Sequence, residues 1–357
     1  MSRCTPFLVV DIDRLDANIA AMAAHARALG VNLRPHTKTH KCIEIARRQL
    51  AAGAVGITVA TLSEADVLVA SGATDIFVAF PVWASGARAE RLFGLAQRVQ
   101  LTVGVDSVES VAHLAAAVRA GQSDAARLAV AVEVDSGHHR SGVASPEHVV
   151  EIAKAATAAG LVLKGVFTFP GHAYAVGAGN SAATNEADAL ARARDALLAA
   201  DLPCAVLSGG STPSAASVDG SVVTEMRPGV YVFGDAQQLE LGSVALSAIA
   251  LTARATVVSR RDNVAIVDAG SKVLGADRPA YASGFGRIKT VPEARITALS
   301  EHHATIVFPG QAPPLGSVVD VIPNHSCNAV NLADELVVER NGAEIAVWRV
   351  AARGCNA

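Results

Sequence analysis

Short apolar runs alternate with Ala/Leu-rich amphipathic stretches along the first two thirds of the chain, and this alternation restricts the fold more than any other feature. The runs fall at 31–36, 55–60, 75–80, 101–106, 128–135, 163–169, 204–208 and 230–233. Stretches of helical period lie between most of them, at 64–70, 108–120, 147–159 and 187–200. Strands covered on both faces read as continuous apolar runs, so the sheet is expected to be parallel. About eight such units over this length predict a (β/α)8 TIM-type barrel. A doubly wound sheet is the rival, but no G-x-G-x-x-G follows the first strand. An earlier run, 7–12, leads into a helix that Asp13 caps and Gly30 ends. That first strand joins either the barrel or the C-terminal third of the chain.

After about Gly242 the texture changes to strand-like segments separated by turn residues, with Asn341-Gly342 as a hairpin signal. The expectation is a barrel over 1–240 and a β domain over 241–357. A net charge of -3 with both signs interspersed, and 4% aromatic residues, exclude a nucleic-acid footprint. Charges interrupt every apolar stretch before it could span a bilayer, so no membrane partner is expected. Five scattered cysteines argue against a disulfide framework, and the first residues carry no signal-peptide pattern. The expected compartment is the cytoplasm.

Chemistry concentrates first in Arg34-Pro35-His36-Thr37-Lys38-Thr39-His40-Lys41. As the end of a strand, its alternation would set Arg34, His36, Lys38 and His40 on one face. Four buried cations are costly unless used, and a lysine crowded by cations exposes a nucleophilic neutral amine. The same segment also reads as a solvated basic loop. Active residues of a barrel sit at the C-terminal strand ends. Those ends here add Asp106, then Glu133 to Arg140, then Thr168, His172 and Tyr174. After the seventh run, Ser208-Gly209-Gly210-Ser211-Thr212-Pro213-Ser214 has the glycines and hydroxyls of an anion cradle, or of an ordinary turn. A reactive lysine with a phosphate cradle and no nucleotide fingerprint points to pyridoxal 5'-phosphate.

A second constellation is Asn324-His325-Ser326-Cys327. On a strand, His325 and Cys327 would point the same way, and imidazole with thiolate suits Zn2+. A buried cysteine beside an unrelated histidine gives the same pattern. His302, in Glu301-His302-His303, is a candidate proton-transfer group or a polar loop residue.

Taken in order, these motifs resemble the D-serine dehydratase/D-threonine aldolase family, fold-type III pyridoxal phosphate enzymes with an alanine racemase-like barrel. The resemblance runs from Thr5-Pro6 to Val347-Trp348 and includes Asp-Ser-Gly-His-His-Arg-Ser-Gly-Val, Gly-His-Ala-Tyr and Pro-Gly-Val-Tyr-Val-Phe-Gly-Asp. It implies that Lys38 carries the cofactor as a Schiff base. It also implies that His36, Arg140, Tyr174, Gly210, Ser211, Thr212 and Tyr231 line the cofactor pocket. His325 and Cys327 would bind a divalent metal, Zn2+ or else Mn2+, that meets the substrate's β-hydroxyl. One departure stands out: Phe-Thr-Phe-Pro at 167–170 replaces a Thr/Ala-His-Ala-Gly pattern usual in the dehydratases.

The resemblance further implies a small D-amino acid substrate and a homodimer. Gly-His-Ala-Tyr, Ser-Thr-Pro-Ser and a cysteine as second metal ligand resemble the dehydratase side, which forms a 2-oxoacid and ammonia. D-threonine aldolase is the alternative. An amino-acid racemase or a non-catalytic cofactor carrier fits less well, the first because it needs no metal, the second because related carriers lack a β domain.

Overall fold

The computed structural model describes residues 3–120 and 128–357. By internal contacts the chain divides into two units. One comprises Ala23–Lys38, Ile45–Gly229 and Cys355–Ala357; the other comprises Met1–Met22, Thr39–Glu44 and Val230–Gly354.

The first unit is a parallel barrel. Its eight strands run in the order Asn32–Leu33, Glu225–Met226, Val206–Gly209, Val162–Phe167, Leu128–Glu133, Gln100–Val105, Asp75–Pro81, Ile57–Val59. A parallel bridge between His36 and Thr58 joins the two ends of that order, and Thr58 N–H donates to Pro35 O at 2.8 Å. All six residues of Leu128–Glu133 are buried, as a strand covered on both faces requires. Helices alternate with these strands, and their apolar positions meet the sheet: Leu92 and Leu95 of Ala87–Ala96, and Val149, Ile152 and Ala156 of Pro146–Ala158.

The eighth strand is not where the apolar run Val230-Tyr231-Val232-Phe233 predicts it. That run forms a 3-10 turn at Val230–Val232, and the strand is the two-residue Glu225–Met226. Glu225 is charged yet buried, so an apolar-run reading passes over it.

The second unit holds a sheet of nine strands, antiparallel except for one pairing. Six of them close into a barrel: Val264–Val267, Ala304–Val307, Val291–Leu299, Gly286–Ile288, Val318–Pro323 and Leu251–Arg261, the last pairing back onto the first. Phe7–Asp11 extends this sheet, antiparallel to Leu251–Arg261 and parallel to Glu335–Arg340. The first strand therefore lies in the β sheet. Short helices also interrupt this region, at Ser271–Leu274 and Ser326–Leu332, where the sequence showed none. Among the described residues no helix is long and apolar enough to cross a membrane.

Candidate active site

The predicted strand through Lys38 stops early. Backbone bonding continues through Arg34 N–H to Met226 O and His36 N–H to Pro228 O, both at 3.0 Å, while Pro35 has no N–H to offer; Thr37–Thr39 then coil into one 3-10 turn. Arg34, His36, Lys38 and His40 thus do not share a strand face. Arg34 is buried in the barrel, where its Nε donates to Glu225 at 2.7 Å and its two terminal nitrogens to Asp75 at 2.9 and 3.2 Å. His36 stands at the closing bridge, and its Nδ1 accepts the Lys38 N–H at 3.4 Å. The side chains are thus separated in space: Arg34 forks between two carboxylates, His36 stands at the seam, and Lys38 lies by an aromatic ring.

Lys38 Nζ lies 5.7 Å from the centroid of the Phe169 ring. Arg140 is 5.1 Å from the same centroid, His138 meets the ring edge-on at 5.5 Å, and Tyr174 is tilted to it at 6.2 Å. Phe169 belongs to the departure Phe-Thr-Phe-Pro, and it gathers side chains from three rim loops, its own included. The ring draws two cations to one small area of the rim. His138 is held below its ordinary pKa by burial, Arg140 and His172; burial likewise lowers His172. Both imidazoles are therefore biased toward the neutral form.

The glycine turn follows Val206–Gly209. Gly210 has a φ of +75°, and a Cβ there would stand 2.9 Å from Met226 Cβ. Ser211 and Thr212 are buried, and Ser214 Oγ takes the Ser211 N–H at 3.0 Å. The Gly210 N–H is donated to Glu186 Oε1 at 2.5 Å. The turn is buried, carries hydroxyls and leaves no room for a side chain at Gly209 or Gly210. With Lys38 beside an aromatic ring, these residues fit a pyridoxal phosphate.

In the other unit His325 is the N-cap of Ser326–Leu332, so His325 and Cys327 lie at a helix start and not on a strand. They nevertheless interact directly. His325 Nδ1 pairs with Asp277 Oδ2 at 2.6 Å, an arrangement that leaves Nε2 as the coordinating nitrogen. Burial opposes the imidazolium, but Cys327, Asp277 and Asp235 together raise His325 well above its usual pKa. An imidazole, a thiol and two carboxylates make a field that suits a divalent cation. Among the described residues no group of three or more His, Cys, Asp or Glu side chains is placed to hold a metal ion. Two protein ligands fit an open site. Cys327 Sγ is also 3.3 Å from Thr39 Oγ1. Tyr231 is buried in the turn Val230–Val232. His302 is exposed in the tight turn 300–303, where Ser300 N–H donates to His303 O at 2.9 Å.

Sequence reasoning passed over several residues that the geometry singles out. Arg227 is wholly buried in the barrel, donates to Ser208 Oγ and to Thr168 O (2.6 Å), and stacks on Phe77 and Phe167 at 5.4 Å each. Glu186 reads as an ordinary polar residue of a long helix. Asp277 lies in a loop 48 residues before His325, with no motif around it. Arg227 alone had a sequence signal, as a charge directly before the Pro-Gly of the Pro-Gly-Val-Tyr motif.

The model of the alanine racemase N-terminal domain matches residues 10–237. The chain belongs to this family. A second model, described as "Putative serine dehydratase domain", matches residues 250–339. The D-threo-3-hydroxyaspartate dehydratase of Delftia sp. (strain HT23) is 36% identical over 351 residues, covering 90% of each chain. The D-threonine aldolase of Arthrobacter sp. is 36% identical over 362 residues, 98% of this chain and 93% of that one. A solved structure of the Delftia dehydratase matches with a TM-score of 0.90 at 34% identity, covering 98% of this chain and 97% of that one. A variant of it has been determined in a metal-free form. This member of the alanine racemase family is accordingly a fold-type III pyridoxal phosphate enzyme of the lyase kind.

Proposed function

We propose that the protein is a pyridoxal phosphate- and divalent metal-dependent lyase of β-hydroxy D-amino acids, acting as a dehydratase on D-serine, D-threonine or a related substrate. The observation that carries the reading is the His325–Cys327 pair with Asp277 on the imidazole, an open site for a cation in a chain that also holds a Schiff-base family barrel. The similarity to a D-threo-3-hydroxyaspartate dehydratase supports it, as does cysteine as the second ligand. Zn2+ is the metal this ligand pair suits best, with Mn2+ second. A homodimer in the cytoplasm completes the reading.

Lys38 would hold the cofactor, which when bound would supply an electron sink for a bond broken at the substrate's Cα. Lys38 Nζ would take the proton from Cα. His325 Nε2 and Cys327 Sγ would hold a divalent cation, which would supply Lewis-acid chemistry at the substrate's β-oxygen. Gly210, Ser211 and Thr212 fix the phosphate end, and His36, Arg140, Tyr174 and Tyr231 orient the ring. Phe169 sets the cations Lys38 and Arg140 beside an apolar face of the rim.

The second reading is aldol cleavage, favoured by the similarity to a D-threonine aldolase. It needs a base at the β-hydroxyl proton instead of at Cα–H, for which His302 is the candidate. Metal-loaded protein incubated with D-serine and D-threonine separates the two. Pyruvate or 2-oxobutyrate with ammonia means dehydratase; glycine with acetaldehyde means aldolase. Formation of neither set would overturn this reading, and turnover that survives EDTA would overturn its metal dependence.

A further inference from the structure

Of the three acids on the helix Gly179–Ala199, Asp188 and Asp195 are exposed while Glu186 is fully buried. Its Oε1 takes the Gly210 N–H at 2.5 Å. A Cβ on Gly209 would come 2.0 Å from that same oxygen, so the carboxyl fills the space beneath the turn. Its other oxygen, Oε2, is buried with no hydrogen-bond partner among the described residues. A glutamate is a costly residue to leave in that position unless the turn needs it. Arg227 is the cation whose field reaches it, but Arg227 is already bonded to Ser208 and Thr168 and is shared with Glu225 and Glu133.

We propose that Glu186 is a positioning residue for the cofactor's phosphate. It fixes the Gly209–Gly210 turn through Oε1, and it takes one proton from solvent onto Oε2 when a phosphate dianion occupies the turn. This rests on the turn being the phosphate site. An anion held there brings a second negative charge to the peptides that the carboxylate already holds, and the weaker acid of such a pair is the one that protonates. Burial moves Glu186 to a pKa of about 7, against the pull of the Gly210 N–H and Arg227, which leaves its charge open to decision by a nearby anion. Among the described residues no other charged group contributes to that shift: neither His172 of the turn Gly171–Ala173, nor Lys164 of Val162–Phe167, nor Glu151 and Lys154 of Pro146–Ala158.

The test compares wild type with Glu186→Gln from about pH 6 to 9, using pyridoxal phosphate, phosphate-free pyridoxal and inorganic phosphate as probes. Above about pH 7 the ratio of wild-type to variant Kd for pyridoxal phosphate should climb, by up to about tenfold per pH unit. The same ratio for pyridoxal should stay flat. Near pH 8, in weak buffer with an indicator dye, wild type should take up more protons on binding pyridoxal phosphate than on binding pyridoxal. Parallel shifts for both ligands, or equal proton uptake, would reduce Glu186 to a packing residue and overturn the proposal. Should the variant fail to fold, the proton-uptake comparison on wild type alone decides. If wild type binds pyridoxal but neither pyridoxal phosphate nor inorganic phosphate, the phosphate-site reading itself falls, and this proposal with it.

Discussion

Removing the Asp277 carboxylate tests whether the imidazole of His325 is set up as a metal ligand. In Asp277→Ala the bond at 2.6 Å to His325 Nδ1 disappears, and the ring loses both its fixed tautomer and its orientation. A hydrogen bond to a charged group contributes about 1.5–3 kcal/mol. The two side chains are 28% and 37% exposed, so water replaces part of that bond and the lower end of the range applies. A loss of about 1.5–2 kcal/mol corresponds to metal binding weaker by about 10- to 30-fold. That falls within the range usual for a lost carboxylate behind a ligating histidine. Competition between chelator-stripped protein and a chromophoric chelator measures it directly, with His325→Ala as the variant that should lose binding altogether. Asp277→Asn, which keeps an acceptor but not the charge, should fall between. Affinity of Asp277→Ala within twofold of wild type, alongside a null His325→Ala, would refute the idea that the carboxylate orients the ligand.

Lys38→Ala should abolish the visible absorbance of the Schiff base; absorbance that persists would put the cofactor on another lysine. Gly210→Ala forces a side chain into a left-handed conformation, costing about 1–2 kcal/mol, and adds the overlap with Met226. Cofactor affinity read by fluorescence titration should then drop at least about tenfold. Arg34→Met strands the buried Glu225, so urea unfolding should show a loss of about 3–5 kcal/mol, part of which Glu225→Gln restores in the double variant. Glu186 has a folded pKa of about 7, above the ordinary ~4.3 of an unfolded glutamate. Its contribution to stability is therefore full below about pH 4 and is lost as pH rises through about 7. Thermal melts of the cofactor-free protein should decline more steeply from pH 5 to 8 in wild type than in Glu186→Gln.

The barrel was legible because its central strands are buried on both faces and print long apolar runs. Where a strand shrinks to two residues and carries buried charge, as at Glu225–Met226, that signal vanishes, and the apolar run 230–233 mimics the missing eighth strand. The basic octapeptide was legible as chemistry but not as geometry. Alternation presumes an unbroken strand, whereas Pro35 and the 3-10 turn at Thr37–Thr39 send Arg34 inward to Glu225 and leave Lys38 by Phe169. His325 and Cys327 do interact, although a helix start, not the strand their spacing suggested, brings them together. Asp277 and Glu186 were beyond reach. Their partners lie 48 and 24 residues away, and nothing in the local sequence announces a contact made by folding.

The strand Phe7–Asp11 has a consequence for how the chain is made. Its partners are Leu251–Arg261 and Glu335–Arg340, so about 240 residues separate its end from the first strand able to pair with it. At roughly 5–20 residues per second of synthesis, an edge reading Phe-Leu-Val-Val-Asp waits about 12–48 s on the ribosome with its backbone donors and acceptors unpaired. The parallel barrel has most of its strands during that interval and can begin to close without it. A nascent chain arrested near residue 240 would therefore expose a sticky β-edge while its barrel is largely formed. Slow translation across 12–250, or expression of the barrel alone with its first eleven residues attached, should favour aggregation, whereas starting such a fragment after Asp11 should relieve it.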